Sequence, residues 1–190
     1  MIELEMGKGK ICFDFSFFAV IGIYTLFGGI YPVFSIIAAI IHECSHILAM
    51  IYQRRKIDCI LFYGGGIKLL CNMNSVSVSV LAAGCCGNFI AAFIFFMAYE
   101  QNLDCVIFAI SNLLIGCYNL LPLGFLDGKN ILLKICEKKG WSDLWVEKAE
   151  KCTLVMLILA YLWALFYGFL NISLIIVLVY MFMVEMTVRK

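Results

Sequence analysis

Long apolar runs broken by short polar segments dominate the chain, and most of the runs approach the roughly 20 residues a helix needs to cross the hydrocarbon core of a bilayer. The pattern predicts six spans, near 12–31, 33–52, 75–99, 104–126, 152–169 and 171–187. Pro32 separates the first two and Asn171 the last two, so each pair reads as a tight helical hairpin. Between spans two and three, residues 57–71 read IDCILFYGGGIKLLC, too short to cross, with two β-prone runs flanking Gly64, Gly65 and Gly66. Two readings stand for this segment. One is a β-hairpin re-entering the membrane, where it must pack on protein or line a water-filled cavity because bare strand edges are not tolerated in lipid. The other is an ordinary cytoplasmic loop turning at the glycines. The expected fold class is thus an all-α polytopic membrane protein of about six transmembrane helices, with 57–71 as its candidate re-entrant β-hairpin.

Composition sharpens this picture. The chain is 64% hydrophobic and 14% charged, with a mean hydropathy of +1.01, far more apolar than the 45–50% or so of soluble domains. No Pro-, Ser- or Gly-rich linker divides it, so residues 1–190 read as a single domain. The first span follows MIELEMGKGK without a small-residue cleavage site and is expected to be retained. A net charge of +1 with scattered basic residues excludes nucleic acid as a partner. Those residues cluster near alternate span ends: Lys8 and Lys10, then Arg54, Arg55 and Lys56, then Lys134 to Lys151, then Arg189 and Lys190. By the positive-inside rule both termini are expected in the cytoplasm, and the loop at 100–104, without Lys or Arg, outside. Most of the ten cysteines lie in apolar runs and read as reduced, small hydrophobes; Cys85 and Cys86 lack the second pair a zinc ribbon needs.

The chemistry sits in span two, in IIHECSHILAM. The chain has two histidines, His42 and His46, four apart, with Glu43 directly after the first. On a helix, positions i and i+4 share a face, so both imidazoles can bind one cation. HExxH is the metalloprotease spacing, with Glu as the proton acceptor. Ionisable groups in a span cost about 2.5–3.5 kcal/mol each on insertion scales, and a shared zinc ion offsets that cost. The plainer alternative is two histidines satisfying each other or helix carbonyls. Cys44 and Ser45 have no separate base and read as packing residues. Catalytic zinc takes three protein ligands and leaves a fourth position open. Of the carboxylates in or beside the spans, Asp14, Asp127 and Glu185, only Asp127 has a distinctive setting, in NLLPLGFLDG, where Pro122 and Gly124 would unwind the helix end. Asp before Gly is also an ordinary turn signal.

HECSH in the second span, followed by NLLPLGFLDG in a later one, resembles the paired signature of the site-2 proteases. The resemblance covers about residues 10–135. It implies His42, His46 and Asp127 as ligands of one zinc ion and Glu43 as the catalytic acid and base. A third family feature, Gly-x-x-x-Asn after the hairpin, is met by Gly84 and Asn88 in AAGCCGNFI. The family places such an Asn near the substrate; its alternative is helix packing through Gly84 and Gly87 with an interhelical hydrogen bond. Asn88 and Asn119, with Gly65 and Gly66 at the hairpin turn, are the candidate substrate contacts. The sequence departs from the family at Cys85, where Pro is usual, at Gly124–Phe125, where one Pro is usual, and at Lys129, often a second Gly. No PDZ or CBS domain is present, which resembles a minimal six-span, sporulation-type branch.

The implied activity is hydrolysis of a peptide bond within or next to a transmembrane segment of a membrane protein or membrane-associated peptide, with the substrate extended along an edge strand of the 57–71 hairpin. The resemblance places the chain in a bacterial plasma membrane, and a homo-oligomer is compatible with it. Three rivals are a relative that binds membrane segments without cutting them, a metal-binding transporter subunit, and another membrane zincin with a His or Glu as third ligand, against which the absence of a third His counts. The second should show internal repeats or a polar path, and the sequence has neither.

Overall fold

Alternation of apolar and acidic residues in Ile2–Met6 makes a strand rather than a helical flank. The computed structural model describes residues 2–6, 9–28, 31–55, 59–63, 66–70, 76–98, 102–124 and 126–167. Within them are four strands, β1 (Ile2–Met6), β2 (Gly9–Phe13), β3 (Cys59–Tyr63) and β4 (Gly66–Leu70). There are six helices, α1 (Phe15–Gly28), α2 (Tyr31–Tyr52), α3 (Val78–Met97), α4 (Leu103–Asn119), α5 (Asp127–Lys139) and α6 (Leu144–Phe166).

The fold is mostly helical, and the all-α expectation is corrected by a four-stranded sheet of order β1-β2-β3-β4. Within 57–71, β3 and β4 pair antiparallel, with Tyr63 opposite Gly66. The sequence analysis did not foresee the β1–β2 hairpin, which joins β3 through a parallel β2–β3 pairing. The helical part of the first expected span therefore begins at Phe15, not residue 12. Asp14 makes this switch from strand to helix. Its N–H donates to the Phe62 carbonyl at 2.7 Å, continuing the ladder. Its carboxylate accepts from the N–H and Oγ of Ser16, starting α1, and these bonds hold the carboxyl below its usual range. Phe13, Phe17 and Phe62 seal the junction, Phe13 and Phe62 stacking at 4.6 Å.

Helices α2 and α3 are long and apolar enough to cross a membrane, and α4 is a shorter apolar helix. Large apolar side chains such as Leu48, Ile51, Ile90, Phe93 and Phe96 point outward, a surface that suits lipid and marks a membrane protein. The fourth expected span stops early, at Asn119, and the lysine-rich stretch read as a loop is α5, closed by Gly140 in the left-handed conformation (φ 67°) with Trp141 N–H returning to the Cys136 carbonyl. The fifth begins at Leu144 rather than 152. The span expected at 171–187 lies outside the described residues.

The chain divides into two compact units, Met1–Tyr118 and Asn119–Lys190. In the first, α2 and α3 pack antiparallel over most of their length. Small residues permit this. A Cβ at Gly87 would collide with the Ser45 hydroxyl, and one at Gly116 would lie 2.8 Å from the Phe89 ring, so glycine lets the helices approach closely. The axial register is pinned at one end by side chains. Gln53, just past α2, accepts from Ser77 Oγ at 2.7 Å and donates to Ser79 Oγ at 2.8 Å, while Ser77 caps α3. In the second unit α5 packs on α6, with buried Lys129 and Glu150 paired across them.

Candidate metal centre

His42 and His46 project from one face of α2 into the α2–α3 seam, 4% and 6% exposed. What each ring nitrogen meets fixes its tautomer. His46 Nδ1 lies 2.8 Å from the Val80 carbonyl, which only accepts, so that nitrogen carries the proton. His42 Nδ1 lies 2.7 Å from Asn88 Oδ1. The amide orientation of Asn88 is itself fixed, because its Nδ2 donates to the Ala38 carbonyl at 2.9 Å and to Asn112 Oδ1 at 3.0 Å. An oxygen there would face two acceptors. Asn88 Oδ1 therefore accepts, and His42 Nδ1 carries the proton too.

Both Nε2 atoms then bear lone pairs, and they stand 3.1 Å apart. Two rings that both keep a proton on Nδ1 offer this pair of nitrogens to a shared cation. Two nitrogens bound to one tetrahedral zinc at about 2.0–2.1 Å would sit about 3.3 Å apart. Opposite them is Gly84 on α3. A Cβ there would stand 2.7 Å from His42 Nε2 and nearer still to His46 Nε2, so glycine is what lets both rings fit against α3.

Asp127 is the first residue of α5 and half-buried. Asp127 lies in the second unit, and it is the resemblance noted above that adds its carboxylate to the two imidazoles. Two imidazoles and a carboxylate are a donor set of catalytic zinc, and the residues fit that ion. The loop before Asp127 is tightly folded. Leu123 N–H donates to the Leu121 carbonyl, Leu126 N–H to the Leu123 carbonyl, and Gly124 takes a φ of 51°. Gly128 is wedged on this loop: a Cβ would overlap the Leu120 carbonyl and come within 2.6 Å of that of Leu121. The Asp-Gly pair thus needs its glycine so that the carboxylate is presented from a closed loop. Glu43 follows His42, about 100° round the helix, and is half-buried.

No protein-family model matches the sequence, and no curated protein matches it. Among solved structures, the site-2 protease from Methanocaldococcus jannaschii is similar with a TM-score of 0.65, over 98% of this chain and 94% of that one, at 20% sequence identity. The chain has the site-2 protease fold. On that fold, two departures from the family pattern acquire partners or places. Lys129 pairs with Glu150 of α6, and Cys85 is a buried residue of α3 beside Gly84.

Of the candidate substrate contacts, Asn119 is half-buried at the end of α4 and Gly66 opens β4, while Gly65 lies outside the described residues. Asn88 is wholly buried, with both amide protons engaged in the seam. This is the interhelical hydrogen bond given above as the alternative, and contact with substrate would require one of those bonds to open. None of the nine described cysteines forms a disulfide, though Cys12 and Cys59 approach at 3.3 Å on neighbouring strands. Sequence reasoning missed Asn112. Its signal was present, since an amide in the apolar run FAISNLLIG must find a partner.

Proposed function

We propose that this chain is an intramembrane zinc metalloprotease that hydrolyses a peptide bond within or next to a transmembrane segment of a membrane-associated substrate. One observation carries the reading: two imidazoles buried in the α2–α3 seam each set Nδ1 against an acceptor and bring their Nε2 atoms to 3.1 Å of each other beside Gly84, as two ligands of one metal would. His42, His46 and Asp127 would hold the metal. When bound, zinc supplies polarisation of the scissile carbonyl and acidification of water. Glu43 accepts the proton from the attacking water at its carboxylate and returns it to the leaving amine.

A helical substrate shields its peptide bonds with its own hydrogen bonds, so it must extend before it is cut. Strand β3 is paired on both edges, by β2 and by β4. Strand β4 is therefore the strand of this hairpin suited to accept an added substrate strand, with Gly65, Gly66, Asn119 and Asn88 as the candidate contacts. Basic residues beside α1 and α2 put the sheet and the N-terminus on the cytoplasmic side, six spans complete the fold, and the similarity suits a bacterial plasma membrane.

The test is a reconstituted cleavage assay with zinc-loaded protein and a pool of membrane-segment peptides, read by mass spectrometry. Wild type should create new termini inside or beside apolar segments, and Glu43→Gln should create none while retaining its zinc. Equal cleavage by Glu43→Gln would remove Glu43 from its role. No cleavage by zinc-loaded wild type would favour a relative that binds segments without cutting, and zinc flux across the vesicle would favour transport.

A further inference from the structure

Asn112 of α4 is completely buried, and both ends of its amide are committed. Its Nδ2 donates to the Phe108 carbonyl one turn back, at 2.9 Å, which turns its Oδ1 toward Asn88. We infer that Asn112 is a positioning residue of the metal centre, acting through Asn88 to hold His42 in the tautomer that offers Nε2 to the metal. The inference rests on the zinc-protease reading above and adds a residue two hydrogen bonds from His42, on a helix that carries neither histidine.

The chain of bonds is directional. The Phe108 carbonyl orients Asn112; Asn112 Oδ1 and the Ala38 carbonyl together orient Asn88; Asn88 Oδ1 takes the proton of His42 Nδ1. If Asn88 turned over, its oxygen would face two acceptors and its NH2 would face His42 Nδ1. His42 would then have to accept there, shift its proton to Nε2 and present an N–H to the space where a ligand lone pair is required. Asn112 supplies one of the two acceptors that forbid this turn. Gly116, one turn further along α4, keeps the approach open: a Cβ there would meet the Phe89 ring at 2.8 Å and Asn88 Cβ at 3.3 Å. His46 needs no such relay, because a main-chain carbonyl cannot flip its sense.

The experiment uses the full chain in mild detergent. Zinc affinity is measured by competition with a chromophoric chelator for wild type, Asn112→Leu and Asn112→Asp, and the zinc-free wild type and variants are examined by 15N NMR of labelled histidine at a pH where the rings are neutral. The chain has only two histidines, so the spectra hold two rings. Outer partners of a ligating histidine change metal affinity by about 10–100-fold. Asn112→Leu should fall in that range and show His42 losing its uniform Nδ1–H tautomer. Asn112→Asp, whose neutral acid keeps an acceptor for Asn88 and a donor for the Phe108 carbonyl, should stay close to wild type in both. A residue with only a packing role would leave the tautomer unchanged in every variant. Wild-type affinity in folded Asn112→Leu, or an Nε2–H tautomer at His42 in wild type, would overturn the inference. The wild-type tautomer decides the matter even if Asn112→Leu does not fold. If wild type holds the tautomer but binds no zinc, the zinc-protease reading fails and the inferred role toward a metal falls with it, a pattern distinct from failure of the relay alone.

Discussion

Lys129 and Glu150 on α5 and α6, and His42 and His46 on α2, are two buried polar clusters with different endings. The side chains of Lys129 and Glu150 are 15% and 6% exposed and bring their own counter-charge. The two histidines have each Nδ1 committed to an acceptor and their Nε2 atoms 3.1 Å apart. The ion pair is electrostatically complete. The histidine pair instead sets two nitrogens of one donor type side by side, which suits a shared cation and separates a candidate metal centre from a structural pair.

Breaking the complete cluster should have the largest effect on folding. Lys129→Met leaves a buried carboxylate without its cation and should cost about 3–5 kcal/mol in denaturant unfolding, while Lys129→Met with Glu150→Leu should recover most of it. An unaffected single variant would mean the pair is solvated. Gly84→Ala should cost less in stability, about 1–3 kcal/mol for overpacking the seam, yet it should abolish zinc retention because the methyl would push on both Nε2 atoms and displace the rings. Retained zinc there would show that the metal lies elsewhere. Smallest is Ser77→Ala, which removes the α3 cap and the link to Gln53 and should cost about 1 kcal/mol in thermal unfolding, with zinc binding kept, since Val80 is still held by the helix.

The histidine cluster was legible in the sequence and most of its surroundings were not, for a physical reason. HECSH lies within one turn, where helical period alone puts both rings on one face. Asp-Gly was legible as a candidate because so few carboxylates border the apolar runs. Asn112 and the Val80 carbonyl meet the histidines only through the antiparallel register of α2, α3 and α4, which glycine contacts and Gln53 set at long range. The strand Ile2–Met6 did carry a period of two, but its glutamates read equally well as a polar flank. In α5, Lys138 and Lys139, which suggested a loop, are exposed in the last turn of a short helix ended by Gly140.

The measurement that tests the account most directly is the zinc content of freshly purified, chelator-free protein in mild detergent, for wild type, His46→Ala and Asp127→Ala. The account predicts about one zinc per chain in wild type and loss or sharp weakening in both variants. Wild type without zinc, or His46→Ala retaining it in full, would contradict the metal centre.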